Sequence, residues 1–223
     1  MSHQSLIDAV ARYYTNKVTE YGPTPKGVDW RDAESQALRF QALIELIPDD
    51  GLEVSINDYG CGYGALFDVL AERWEEFQYL GYDVSEAMIA QARARHSADQ
   101  RASFTTDVDE LRQADYTVAS GIFNVRLNQP LAQWRTYVLE TLDKLAMVSR
   151  RGFVFNALTA HADPGHVRGD LYYADPAELL DHCLRHYSRD VALRHDYPLY
   201  EFTVSVRLGG RAPVRVPERS AHE

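Results

Sequence analysis

Apolar and polar positions along this chain change their period near Gly51, and that change divides it into two parts. Before it, Leu6, Val10, Tyr13, Tyr14 and Val18 recur at helical spacing, so 5–18 is predicted to be an amphipathic helix. A Gly/Pro-rich stretch, 21–28, interrupts the pattern. Ala37, Phe40, Leu43, Ile44 and Ile47 then predict a second helix, which Pro48-Asp49-Asp50-Gly51 ends. Past Gly51, short β-rich runs alternate with helical patterns, the signature of βαβ units and a mainly parallel sheet. Strands are predicted at 54–58, 79–83, 102–105, 116–120 and 152–156. The helices between them are marked by Ala65, Leu66, Val69 and Leu70, by Met88, Ile89 and Ala92 behind a Ser85 cap, and by Trp134, Val138, Leu142 and Leu145. A last helix is predicted over 175–187, with Pro176 where its missing N–H does no harm. Two β-rich runs, 191–195 and 200–208, are separated only by a turn around 196–198, so the sheet should end in an antiparallel hairpin.

These elements fit one structural domain, because 223 residues lie within the reach of a single core. Residues 1–50 are an N-terminal helical extension or lid, 51–210 the principal domain, and 211–223, past Gly209-Gly210, a tail expected to fray. The expected fold class is α/β, with three layers, a mostly parallel sheet, a C-terminal antiparallel hairpin and added N-terminal helices.

Composition narrows the function. Lys+Arg 23 against Asp+Glu 33 gives a formal net charge of -10, a field that repels phosphate backbones and anionic membranes, so neither nucleic acid nor a membrane is an expected partner. No basic-then-apolar leader opens the chain and no apolar run approaches the roughly 20 residues that span a bilayer, so the expected location is the cytoplasm. Cys61 and Cys183 suggest neither a disulfide scaffold nor a zinc site. His182 and His186 have the spacing of a helical metal clamp, but no Glu stands beside His182 as in a zinc-hydrolase motif, and no metal is expected. Nothing in the sequence sets the oligomeric state.

The chemistry is carried by Ile56-Asn57-Asp58-Tyr59-Gly60-Cys61-Gly62-Tyr63-Gly64, a strand that ends in an acid and runs through alternating glycines into a helix. Glycine permits the tight turn and lets backbone approach a ligand with no Cβ in the way. Asp58 stands at the carboxyl end of the strand, where open α/β sheets bind ligands, and an acid there suits an ammonium group. Asp83 ends the next strand and can accept hydrogen bonds from ribose hydroxyls. Asp107, after the third strand, can accept from an adenine amino group. Gly60, Gly62 and Ala65 also satisfy a dinucleotide-binding pattern, which leaves an NAD-dependent oxidoreductase as an alternative.

Together DYGCGYG, GYDVSEAMI and FTTDVDEL resemble the first three motifs of class I, Rossmann-like S-adenosylmethionine-dependent methyltransferases, and the resemblance covers 53–208. It implies S-adenosylmethionine as cofactor. Asp58, Gly60 and Gly62 would hold its methionine part, Asp83 its ribose, and Asp107 with the Val108 backbone its adenine. Ser120, at the end of the fourth strand, would face the cofactor, and Asn124 just beyond would face the substrate. The Ser120-Gly121-Ile122-Phe123-Asn124 run departs from the Asn/Asp-Pro-Pro-Tyr/Phe sequence of nucleobase and glutamine N-methyltransferases, so the expected acceptor is a small polar molecule, methylated on oxygen or nitrogen. A nucleoside-binding protein without catalysis, acting as a sensor or partner, fits the same motifs.

In the N-terminal segment Tyr14, Lys17, Gln36 and Arg39 are candidates to reach the cofactor or acceptor, Tyr14 and Arg39 on the cofactor side and Lys17 on the substrate side. The long connection 158–170 supplies two more, His161 as general base and Arg168 as partner for an acidic group on the substrate.

Overall fold

Eight strands share one sheet in the computed structural model, which describes residues 3–214: β1 (Val54–Tyr59), β2 (Phe77–Tyr82), β3 (Ala102–Thr105), β4 (Ala114–Ala119), β5 (Ser149–Thr159), β6 (Tyr173–Ala174), β7 (Val191–Arg194) and β8 (Glu201–Arg207). Their order is β3-β2-β1-β4-β5-β8-β7, with β6 paired to the far end of β5. β1 to β5 run parallel, and β8 lies antiparallel between β5 and β7 as the expected hairpin requires. The helices are α1 (His3–Tyr21), α2 (Ala33–Ile44), α3 (Ala65–Arg73), α4 (Glu86–Arg95), α5 (Leu131–Met147) and α6 (Pro176–His186). None of them is long and apolar enough to cross a membrane, among the described residues.

Alternation along the central strands decides which helix packs where. Val54 and Ile56 of β1, Tyr116 and Val118 of β4 and Val154 of β5 join Phe40, Leu43, Leu66 and Leu70, so α2 and α3 cover that face. The intervening Tyr59, Ala119, Phe153 and Phe155 meet Trp134, Val138, Leu142, Leu179 and Cys183, so α5 and α6 cover the other. Polar side chains that the alternation buries are satisfied locally. Asn57 donates to the Arg112 carbonyl at 2.8 Å, and Ser149 Oγ donates to Thr117 Oγ1 at 2.7 Å. Capping follows the sequence: Ser85 Oγ accepts from the Met88 N–H, and Asp175 accepts from Ala177 and Glu178 ahead of Pro176.

The long connection predicted over 158–170 is partly structured. β5 continues to Thr159 because β8 pairs with it through Leu158, and past the end of β4 the two-residue β6 takes over the vacated side of β5. Of the predicted tail 211–223, residues 215–223 lie outside the described residues. Arg211 pairs with Asp190 at 2.6 Å and the Val214 N–H donates to the Leu184 carbonyl at 2.8 Å.

After β1 the chain builds outward to β2 and β3, then returns to place β4 on the other flank of β1. Crossover connections therefore diverge at the carboxyl ends of β1 and β4 and leave a crevice there. Trp134 is fully buried, and its indole N–H donates to the Phe123 carbonyl at 2.9 Å, fixing the segment that leaves β4. Trp134→Ala should therefore destabilise the fold by about 3–5 kcal/mol, read from urea unfolding, with Trp134→Phe recovering part of the loss.

Candidate active site

Two adjoining clefts open at the carboxyl ends of the parallel strands. The inner cleft, of about 870 Å³, is lined by Asp58 near the end of β1 and Gly60 just after it, Asp83 after β2, and Ser120 and Gly121 after β4. The outer, of about 1180 Å³, lies between the N-terminal segment and the chain around Asn124, Leu158 and Arg168. Tyr14, Val28, Trp30 and Gly121 line both and form their common wall.

The glycine turn has a steric reason besides ligand approach. Gly62 has φ 55°, and a Cβ there would stand 2.9 Å from Val28 Cγ1. Gly121 has φ 74°, and its Cβ would stand 2.6 Å from Trp30 Cζ2. The N-terminal segment thus lies across the open end of the sheet and presses on the turns after β1 and β4. Polar contacts hold it there: Thr15 Oγ1 is 2.8 Å from Ser85 Oγ, and Tyr63 donates its hydroxyl to Gln36 at 3.0 Å.

Burial dominates the electrostatics of the inner cleft. Asp58 is 2% exposed, and its one side-chain partner among the described residues is the Tyr79 hydroxyl, which donates at 2.7 Å. Loss of water pushes its pKa up to about 7, against the lowering effect of Tyr79. Asp83 accepts backbone N–H groups from Gly62 and Ser85, each at 2.9 Å, and burial still raises it to about 6. Both carboxylates keep acceptor capacity, since an ionised carboxylate offers roughly four lone-pair sites. Ser120 Oγ is buried with no hydrogen-bond partner among the described residues. Tyr14 is pushed above the ordinary phenol range by burial, with Asp29 and Asp83 adding to the shift.

In the outer cleft both acids are paired with a cation. Lys17 donates to Asp29 at 2.6 Å, and Tyr13 donates to the same carboxylate at 2.9 Å. Arg39 stacks over Trp30 at 3.9 Å and pairs at 2.6 Å with Glu201, whose side chain is 1% exposed. Glu201 also accepts from Asn156, whose Oδ1 accepts the Gly121 N–H at 2.7 Å. Burial raises Glu201 above the usual carboxylate range while Arg39 opposes the shift.

The structure brings Asp58, Gly60, Gly62, Asp83, Ser120 and Tyr14 to the inner cleft, and Tyr14, Lys17, Arg39, Asn124 and Arg168 to the outer one. Asn124 accepts the Leu158 N–H at 3.3 Å, and Arg168 pairs with Asp170 at 2.5 Å. Asp107 and Val108 are not in the lining of either cleft. Asp107 is exposed and accepts the Asp109 N–H at 2.9 Å. His161 is also outside both linings: with β5 extended to Thr159 it follows directly on the strand, exposed, with its ring 6.3 Å from that of His195. Sequence reasoning missed Trp30, Gly121, Asn156 and Glu201. The one signal available was an acid, Glu201, opening an otherwise buried strand.

Residues 56–145 match the family described as Methyltransferase domain. The chain is 52% identical over 153 residues to the Mycobacterium tuberculosis protein named "Putative methyltransferase Rv1506c", an alignment that covers 69% of this chain and 92% of the relative. A solved structure described as a DhpI-SAH complex superposes with a TM-score of 0.62 at 20% identity, covering 94% of this chain and 100% of that one. The magnesium protoporphyrin IX methyltransferase ChlM of Synechocystis PCC 6803 with bound SAH does so with a TM-score of 0.61 at 18% identity, covering 91% and 99%. At these identities the superpositions bear on the fold.

The raised carboxylates have a consequence for stability. Asp58 and Asp83 bind protons in the folded chain at a pH where the unfolded chain has released them. Their contribution favours folding at low pH and is lost as pH rises through about 6 to 7. The ligand-free protein should thus gain stability between about pH 8 and about pH 5, and Asp58→Asn should raise stability at the upper end and flatten the slope, as urea unfolding across that range will read.

Proposed function

Because the chain belongs to the class I S-adenosylmethionine-dependent methyltransferases, we propose that it transfers the donor's methyl group to an oxygen or nitrogen of a small polar molecule held in the outer cleft. The observation that carries this reading is the common wall of Tyr14, Val28, Trp30 and Gly121, which sets a second, open cleft directly beside the one that suits the donor. The alternative of an oxidoreductase falls with the family. S-adenosylmethionine supplies a methyl carbon on a positively charged sulfur, open to in-line attack by a lone pair.

The inner cleft fits that donor in chemistry as well as in place. Buried carboxylates with raised pKa values are short of positive charge, and an ammonium group beside Asp58 meets that need. Asp83, already fixed by two backbone N–H groups, has lone pairs left for ribose hydroxyls. The partnerless Ser120 hydroxyl supplies a further polar contact. Gly60 and Gly62 let the backbone approach the methionine part. We assign the adenine to the rim at Asp107 and Val108, on the grounds that Val108 packs against the cluster that contains Tyr82, a residue of the cleft lining.

The accepting atom must lose a proton. The carboxylates of the outer cleft, Asp29 and Glu201, are already engaged by Lys17 and Arg39, and His161 stands outside. Alignment of the acceptor, with the proton passing to water, is therefore the favoured mechanism over a dedicated base. His161→Ala should leave turnover within about twofold, whereas a general base would show a loss of at least about a hundredfold.

Calorimetry should show binding of S-adenosylmethionine and S-adenosylhomocysteine and none of NAD, with Asp83→Ala losing about 1–3 kcal/mol of that affinity. Turnover of radiolabelled methyl donor against metabolite pools tests the acceptor. Labelling of no small polar molecule by a chain that binds the donor would refute the reading.

A further inference from the structure

We propose that the acceptor carries an anionic group, a phosphate or a carboxylate, and that Lys26, Arg31 and Arg168 grip it in the outer cleft. This rests on the assignment of that cleft to the acceptor.

The chain as a whole is acidic, with 33 Asp and Glu against 23 Lys and Arg. The outer cleft inverts that balance. Its basic side chains are Lys17, Lys26, Arg31, Arg39 and Arg168, and its acids are Asp29 and Glu201. Each of these acids is already matched by a cation of the same wall, Asp29 by Lys17 and Glu201 by Arg39, both at 2.6 Å. Positive charge is left over on Lys26, Arg31 and Arg168. The partners of Arg31 and Arg168 are Asp32 and Asp170, neighbours outside the cleft lining, and both pairs are more than two-fifths exposed. Exposed pairs of this kind are weak in water, and an arginine fork so held still presents N–H groups to a phosphate or carboxylate. Lys26 is exposed and has no ion pair among the described residues.

These cations are carried by three separately fixed pieces of chain. Lys26 sits in the 3-10 turn Pro25–Val28, closed by the Asp29 N–H on the Lys26 carbonyl. Arg31 immediately precedes Asp32, the N-cap of α2. Arg168 lies on the connection between β5 and β6, where its N–H donates to the Tyr173 hydroxyl at 3.0 Å and the Arg126 guanidinium caps the Gly169 carbonyl. Lys26 and Arg31 are close along the chain, and the fold alone brings Arg168 to the same cleft. None of the three lines the inner cleft, whereas Trp30 and Tyr14 line both. An acceptor gripped by its anionic end would thus lie along Trp30 with its reactive atom toward the donor.

Calorimetry on the full chain saturated with S-adenosylhomocysteine tests this, with inorganic phosphate and malonate as probes and choline and glycerol as cationic and neutral controls. Saturable binding of phosphate or malonate is expected, with none for the controls, and the tighter anion identifies the group. Lys26→Gln combined with Arg168→Gln should weaken that anion by at least about fivefold and change S-adenosylhomocysteine affinity less than about twofold. If the double variant loses its circular dichroism spectrum, Arg31→Gln carries the same comparison. Absence of saturable anion binding, equal binding of choline, or anion affinity untouched by the substitutions would overturn the proposal. Failure to bind S-adenosylhomocysteine at all would instead overturn the assignment of the inner cleft.

Discussion

Glu201 holds a carboxylate with 1% of its side chain exposed, and removing such a charge from water costs several kcal/mol unless partners replace the lost hydration. Arg39 and Asn156 replace it, and in doing so they decide where much of the molecule sits. Arg39 belongs to α2 and stacks on Trp30, Glu201 opens β8, and Asn156 lies in β5 and receives the Gly121 N–H that shapes the turn after β4. One satisfied buried charge therefore ties the N-terminal segment, the antiparallel strand and the end of a parallel strand into a single arrangement. The common wall of the clefts borders this network, because Trp30 stacks under Arg39 and lies where a Cβ on Gly121 would strike it.

The inner cleft runs the other way energetically. Asp58 and Asp83 are buried without a cation, and their raised pKa values measure the cost of that burial in the ligand-free protein. In the proposed reading, a cationic, hydroxyl-bearing donor would offset the cost when it binds. The site is thus strained toward its ligand, while the Glu201 network beside it is satisfied in advance. A satisfied network keeps the walls in place, and an unsatisfied pair of acids draws in the charge that the reaction needs.

Much of this site could be read in the chain. Asp58, Gly60, Gly62 and Asp83 were legible because they are consecutive features of strand ends, and the parallel sheet places consecutive strand ends side by side. Ser120 followed for the same reason through β4. Trp30, Asn156 and Glu201 were not legible, because their contacts join different elements: Trp30 meets Gly121, Asn156 meets Glu201, and Glu201 meets Arg39 across a separation of 162 positions. His161 and Arg168 show the limit of reasoning from loops. Both lie on one connection of suitable length, yet the pairing of β5 with β8 and β6 sends the first outside the clefts and leaves the second within reach of the outer one.

By itself the sequence determined the α/β class, the parallel sheet with its closing hairpin, the family and the two acids, Asp58 and Asp83, that line the inner cleft. Each of these depends on periodicity or on residues a few places apart, which the local backbone converts directly into position. The tertiary structure decided that residues before β1 lie across the open end of the sheet rather than against its edge. It also decided that Arg168 joins the cations of the N-terminal segment in the second cleft, and that a buried Glu201 pairs with the Arg39 that stacks on the wall between the clefts. Those outcomes come from burial and charge pairing between distant segments, and no local pattern encodes which distant partner a side chain will meet.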